Sequence, residues 1–200
     1  MSKTISVPAT ERERTAIEVR ELDASSVSKW NEFVAACPEA TFYHRSEWKT
    51  IIESVFGHST HYLLAEAEGK IEGVLPLGHI RSRLFGNALI STPFCVYGGV
   101  AASSNGARLA LEEAAEAMAE RLGVDYLEHR DQRTGGADWP SKDLYVTFKK
   151  EISPDPDENL RAIPRRQRAM VRKGIKAGLE SQLDDDVDRF FEAYAESVHN

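Results

Sequence analysis

The stretch "HYLLAEAEGKIEGVLPLGHI", residues 61–80, decides the fold. Its two apolar runs are separated by Glu68 and Gly69, and a short polar pair with glycine between apolar runs predicts two antiparallel strands joined by a tight turn. "NALISTPF", residues 87–94, supplies a third strand before the loop "CVYGGV", residues 95–100. Upstream, "TAIEVREL", residues 15–22, alternates Ile17 and Val19 with charged neighbours, as a half-buried strand does. Two helices are expected between that strand and the hairpin. Ser25 or Ser26 caps the first, whose inner stripe is Trp30, Phe33, Val34 and Cys37 and which ends at Pro38. Ser46 caps the second, with Trp48, Ile51, Ile52, Val55 and Phe56 inward and Gly57 as its stop.

Downstream, an alanine-rich helix from Asn105 carries Leu111, Ala115, Met118 and Leu122 on one face and ends at Gly123. A strand "VDYLEHR" (124–130), a loop "DQRTGGADWPSKD" (131–143) and a further strand "LYVTFKKEI" (144–152) follow. "SPDPDEN", residues 153–159, is a Pro- and Asp-rich connector that marks a boundary near Ser153. This order is α+β, with helices covering a mostly antiparallel sheet.

Two hundred residues with 42% hydrophobic content suffice for a real core. The polar start "MSKTISVPATERERT" and the lack of a long apolar run give no signal peptide or membrane span, so a cytoplasmic location is expected. Cys37 and Cys95 lie far apart and outside metal spacings, and are expected to be buried thiols. The net charge of -7 disfavours general polyanion binding. Against that background, "IPRRQRAMVRKGIKAGL", residues 163–179, holds six Arg and Lys and no acid. On a helical projection Arg165, Arg168, Arg172 and Lys176 share one side, flanked by Arg166 and Lys173, while Met170, Val171, Gly174 and Ile175 lie opposite. Such a face holds phosphates, or is a solvated surface neutralised by the Asp184, Asp185, Asp186 and Asp188 cluster.

The element order resembles the GNAT acyltransferase fold. No Q/R-x-x-G-x-G/A segment opens a helix to hold the pyrophosphate of coenzyme A, and "SSNGARLA", residues 103–110, is a weak substitute. The runs "ATFYHRSEW", "EGVLPLGHIRSRLFG", "ISTPFCVYGGV", "YLEHR" and "IPRRQRAMVRKGIKAGL" resemble FemAB-type transferases, in particular the FemAB-like proteins of PEP-CTERM and exosortase loci, from about Trp30 to the last residue. The polar residues 1–14 are expected to form a flexible tail, and the resemblance implies a GNAT-like domain over 15–152 and, over 153–200, a linker and the opening helices of a second, incomplete GNAT-like domain. It implies acyl or aminoacyl transfer to an amine on a cell-envelope or exopolysaccharide-related acceptor. The donor is aminoacyl-tRNA or acyl-CoA, with no separate cofactor. An acyl-CoA-dependent GNAT enzyme and a non-enzymatic tRNA or polyanion-binding module are the competing expectations.

For substrate binding the resemblance selects Arg165, Arg168 and Arg172, then Lys173, along a precursor groove, and His44, Arg45 and Trp48 at the second helix. Tyr97 and the glycines of "VYGGV" allow close backbone approach to a ligand. Glu128, His129 and Arg130 end a strand that is central in GNAT folds and are the catalytic candidates. His58 and His61 lack a third ligand, so no metal is expected. No Ser-His-Asp set or reactive Cys pair appears, which leaves catalysis by positioning a bound amine against an activated ester.

Overall fold

The computed structural model describes residues 16–82, 86–132, 139–142 and 146–199. The chain divides into two compact units, residues 1–141 and 142–200. The expected tail, residues 1–14, lies outside the described residues.

In the first unit, β1 (Glu18–Glu21) leads to α1 (Val27–Ala36) and α2 (Glu47–Val55), then β2 (Ser59–Ala67), β3 (Lys70–Ser82), β4 (Gly86–Ser91), a short β5 (Ala101–Ala102), α3 (Asn105–Leu122) and β6 (Tyr126–Glu128). The sheet order is β1-β2-β3-β4-β6, with β5 on β3. All pairs are antiparallel except β4 with β6. This is the α+β, GNAT-like order expected from the sequence. The β2–β3 turn is the predicted one: Ala67 pairs with Lys70, and Glu68 (φ 51) and Gly69 (φ 76) both take the left-handed conformation that a two-residue hairpin requires.

One sheet face is covered by α3, whose Leu111, Ala115 and Met118 pack on Leu63, Leu75, Leu77 and Leu89. The helix lies close because the facing residues are small: a Cβ on Gly73 would meet Leu111 at 2.9 Å and the Cβ atoms of Ala102 and Ala107 at 3.3 Å. The other face carries Trp30, Val34 and Cys37 of α1 and its C-cap against Tyr62, Leu64 and Val74. Trp30 stacks on Tyr62 at 5.4 Å and donates its indole N–H to the His44 carbonyl at 2.7 Å.

Several expectations need correction. Asp23, not a serine side chain, caps the entry to α1, accepting from Ser26 N. Ser46 gives α2 no cap bond, because its hydroxyl is engaged by Asn31. Of the expected α2 stripe only Ile52 is fully buried, leaving Ile51, Val55 and Phe56 exposed. The strand expected over 144–152 is absent from its described part, 146–152, where Phe148 is 93% exposed. Both cysteines are free and buried, as expected. No described helix is long and apolar enough to cross a membrane.

The second unit contains α4 (Pro156–Ala162), α5 (Arg165–Lys176) and α6 (Asp188–His199), none with a buried residue.

Candidate functional site

β4 and β6 run parallel and pair only as far as Ile90 and Glu128. Beyond that point the chain leaves the sheet through residues 92–100 and returns to β3 as β5. Thr92 (φ 34) and Phe94 (φ 69) are non-glycine residues in the left-handed region, so backbone strain is stored where the excursion begins. Pro93 seats it: a Cβ on Gly78 would lie 2.5 Å from the Pro93 ring.

Arg130 stitches the excursion to the end of β6. Its N–H donates to Ser91 Oγ at 2.7 Å, its carbonyl accepts from Gly98 N and Gly99 N at 3.2 Å each, and its guanidinium donates to the Cys95 carbonyl at 2.5 Å and to Glu128 at 2.8 Å. Asp131 Oδ1 accepts from Val100 N at 3.0 Å. A Cβ on Gly98 would fall on Thr92 Oγ1 and one on Gly99 on Asp131 Oδ1, so both must be glycine.

The other anchor is His44, at the end of a 3-10 turn, Phe42–His44. Thr41 N–H donates to its Nδ1 at 2.9 Å, which puts the imidazole proton on Nε2, where it is donated to the Gly99 carbonyl at 2.9 Å. Burial holds the His44 pKa below the ordinary imidazole value, so the ring is neutral. Thr41 Oγ1 donates to the Tyr97 carbonyl at 3.0 Å and Thr92 Oγ1 to the Tyr43 carbonyl at 3.2 Å.

Around the excursion stands an aromatic rim. The rings of Phe42, Tyr43 and Trp48 are each 5.8 Å apart, with Phe42 70% exposed, and Phe94 stacks on Phe56 at 4.2 Å. Arg45 is not a free cation: it forms two bonds to Glu47, at 2.6 and 3.2 Å, which hold that carboxyl down to about 2. Glu128 and Arg130 form one part-buried ion pair at the end of β6, with Glu128 the more exposed partner.

His129 lies against Trp139, the two ring centroids 4.7 Å apart. Its Nε2 is buried with no hydrogen-bond partner among the described residues. Burial, and secondarily the Arg108 charge, lowers its pKa to about 4. The unfolded chain therefore takes up a proton near pH 6.5 that the folded chain refuses until about pH 4, so stability falls as pH drops through that window. Asp131 and Glu112, both raised by burial, oppose this slope. His129→Leu is expected to flatten the acid side of the stability profile by about 1 kcal/mol per pH unit. Urea midpoints at pH 7 and pH 5 for both chains measure it; an unchanged difference would remove His129 from the account.

The start of α3 is already filled. Ser104 Oγ accepts from Ala107 N at 3.2 Å and donates to the Glu72 carboxylate at 2.8 Å, and a Cβ on Gly106 would meet Ile17 at 2.9 Å. A carboxylate beside this helix N-terminus repels the anion that such a terminus otherwise attracts.

In the second unit, Arg168 is engaged with its own chain: Nε and Nη2 donate to the Ile163 carbonyl at 3.1 and 2.9 Å, and Nη2 also to the Arg161 carbonyl at 2.9 Å. It thus caps the C-terminal carbonyls of α4. The side chains of Arg165, Arg166, Arg172, Lys173 and Lys176 make no hydrogen bond or ion pair among the described residues. The Asp cluster does not neutralise them, since Asp184 pairs with Arg189 at 3.0 Å and Asp184 and Asp186 cap the backbone N–H groups of Asp186 and Asp188.

Several solved structures follow a similar path. A GNAT family acetyltransferase from Staphylococcus aureus shares 17% identity at a TM-score of 0.44, covering 68% of this chain and 98% of its own. A ribosomal-protein-alanine N-acetyltransferase from Brucella melitensis shares 14% at 0.44, covering 67% and 100%. An aminoglycoside antibiotic 6'-N-acetyltransferase from Acinetobacter haemolyticus shares 13% at 0.44, covering 68% and 99%. No family model and no curated protein matches the sequence.

Of the residues selected from the sequence, the fold joins His44, Tyr97, Glu128 and Arg130 around the excursion, with Trp48 in its rim. His44 enters as a buried anchor and Arg45 as half of an ion pair. Arg165, Arg168, Arg172 and Lys173 belong to the second unit, where Arg168 has a structural partner and the other three are free. Sequence reasoning passed over Thr41, Ser91, Thr92 and Asp131. Thr41-x-x-His44 is a capping-box spacing and was the available signal. The Tyr62 hydroxyl, buried without a hydrogen-bond partner among the described residues and pushed upward in pKa by burial, looks in sequence like any core aromatic.

Proposed function

We propose that this chain is a FemAB-like N-acyl or aminoacyl transferase that forms an amide on an envelope or exopolysaccharide-related acceptor. One observation carries the reading: two parallel strands part at Ile90 and Glu128, and the strained segment between them is fixed by Arg130 and His44. Adjacent parallel strands that diverge at their carboxyl ends make a crevice where ligands bind. The acceptor nitrogen attacks the acyl carbonyl carbon, the C–N bond forms, the ester or thioester bond breaks as the leaving oxygen or sulfur takes up a proton and departs as the donor's free hydroxyl or thiol, and the nitrogen loses a proton. Glu128 is the exposed carboxylate at the strand end that takes this proton, and Arg130 is the adjacent cation that stabilises charge on the acyl oxygen. The aromatic rim of Phe42, Trp48 and Phe94 excludes water from the acceptor. No covalent enzyme intermediate is needed.

The occupied α3 N-terminus supports an ester-linked aminoacyl donor over acyl-CoA, because Glu72 stands where a pyrophosphate would approach. Titration with acetyl-CoA is expected to show no saturation below about 1 mM. Micromolar affinity would move the proposal to an acyl-CoA-dependent enzyme. The free cations of α5 favour a second reading, a module that holds a polyanion without turnover, and strong salt dependence with no amide product identifies it.

A further inference from the structure

α5 presents two unsatisfied faces at once. Its five free cations occupy one side. On the other, Met170 (65%), Val171 (41%) and Ile175 (65%) stand in solvent. The stripe continues past the helix: Gly178 (φ 72) turns the chain back, Leu179 N donates to the Gly174 carbonyl at 3.2 Å, and Leu179, 76% exposed, lies 3.4 Å from where a Gly174 Cβ would stand. An RNA would satisfy the cations and leave the stripe in water. An apolar protein groove would do the reverse.

We infer that α5 docks flat on an anionic phospholipid surface, with Met170, Val171, Ile175 and Leu179 entering the head-group boundary and the free cations holding lipid phosphates. The inference rests on reading α5 as a phosphate-holding face, and it names the source of the phosphate. A basic amphipathic helix of low overall hydrophobicity has both demands met at such an interface, where Arg and Lys stems lie along the apolar stripe and their charges reach the head groups. Charge selects this surface and no other. The whole chain carries -7, and α6, although its Phe190 and Phe191 are exposed, begins in the Asp184, Asp185, Asp186 and Asp188 run that an anionic bilayer repels. The helix is too short and too charged to span, so it lies in the plane.

The test is co-flotation of the full chain with vesicles of phosphatidylcholine plus phosphatidylglycerol, against vesicles of phosphatidylcholine alone. Binding only to the anionic vesicles is expected. Arg172→Ala with Lys173→Ala should weaken it about thirtyfold, at roughly fivefold per cation. Met170→Ser with Ile175→Ser, which leaves every cation in place, should weaken it about tenfold or more. Full binding by this apolar double variant would overturn insertion and leave a purely electrostatic contact. Binding of homopolymer RNA without vesicle binding would overturn the lipid source while keeping the phosphate reading. Failure to bind either would overturn both, and leaves the acyl-transfer proposal to its own assays.

Discussion

Arg130→Met is expected to lower turnover at least about a hundredfold and to destabilise the first unit by about 2 to 3 kcal/mol. The methionine keeps most of the apolar stem, so the loss isolates the guanidinium. That group donates to the Cys95 carbonyl at 2.5 Å and pairs with Glu128 at 2.8 Å. Cys95 is buried, so without Arg130 its carbonyl loses a charged partner where water does not readily replace it. The excursion then moves relative to the end of β6, and displacement of about 1 Å at a reacting centre is worth a hundredfold in rate. Arg130→Lys keeps the charge but not the fork, and should recover stability more than rate. A thermal melt and kcat on the same preparations separate the two effects; a variant with wild-type kcat and a lowered Tm would make Arg130 purely structural.

Gly99→Ala is the second large effect, expected at about 3 kcal/mol and a fall in Tm of about 10 °C. The new Cβ would land on Asp131 Oδ1, the acceptor for Val100 N, and would stand beside the Gly99 N–H that donates to the Arg130 carbonyl. Two hydrogen bonds and one close packing contact fail together. Gly57→Ala is the comparison: its Cβ meets nothing within 4 Å, and only the positive φ of 68° is unfavourable. That change should cost about 1 kcal/mol. Equal losses in the two variants would show that backbone conformation, and not the fit of residues 92–100 against Asp131, sets the response.

The fold was legible where one local signal sufficed. Glu68 and Gly69 marked the hairpin because few residue pairs adopt two positive φ values in succession, and the spacing of Leu111, Ala115 and Met118 marked α3 because its whole inner face is apolar. The strand expected over 144–152 failed for the opposite reason. Val146, Phe148 and Ile152 alternate as a strand would, but alternation becomes a strand only on a sheet edge, and the described residues 146–152 form no strand. The excursion was half legible. Gly98 and Gly99 signalled close backbone approach, yet the approaching groups are Thr92 and Asp131, supplied by distant parts of the chain. Arg168 shows the limit most sharply. A helical projection places it beside Arg165 and Arg172 as an equal, and only the end of α4 at Ile163, with its exposed carbonyls, sets it apart.

The most direct measurement is mass-spectrometric detection of amide product on an amine acceptor, with aminoacyl-tRNA and acyl-CoA offered separately to the full chain and to Arg130→Met. The expected result is an amide formed by the unaltered chain, from the aminoacyl ester in preference to the thioester, and its loss with Arg130→Met. No amide from either donor, or undiminished product from Arg130→Met, would contradict the claim that acyl transfer occurs where β4 and β6 part.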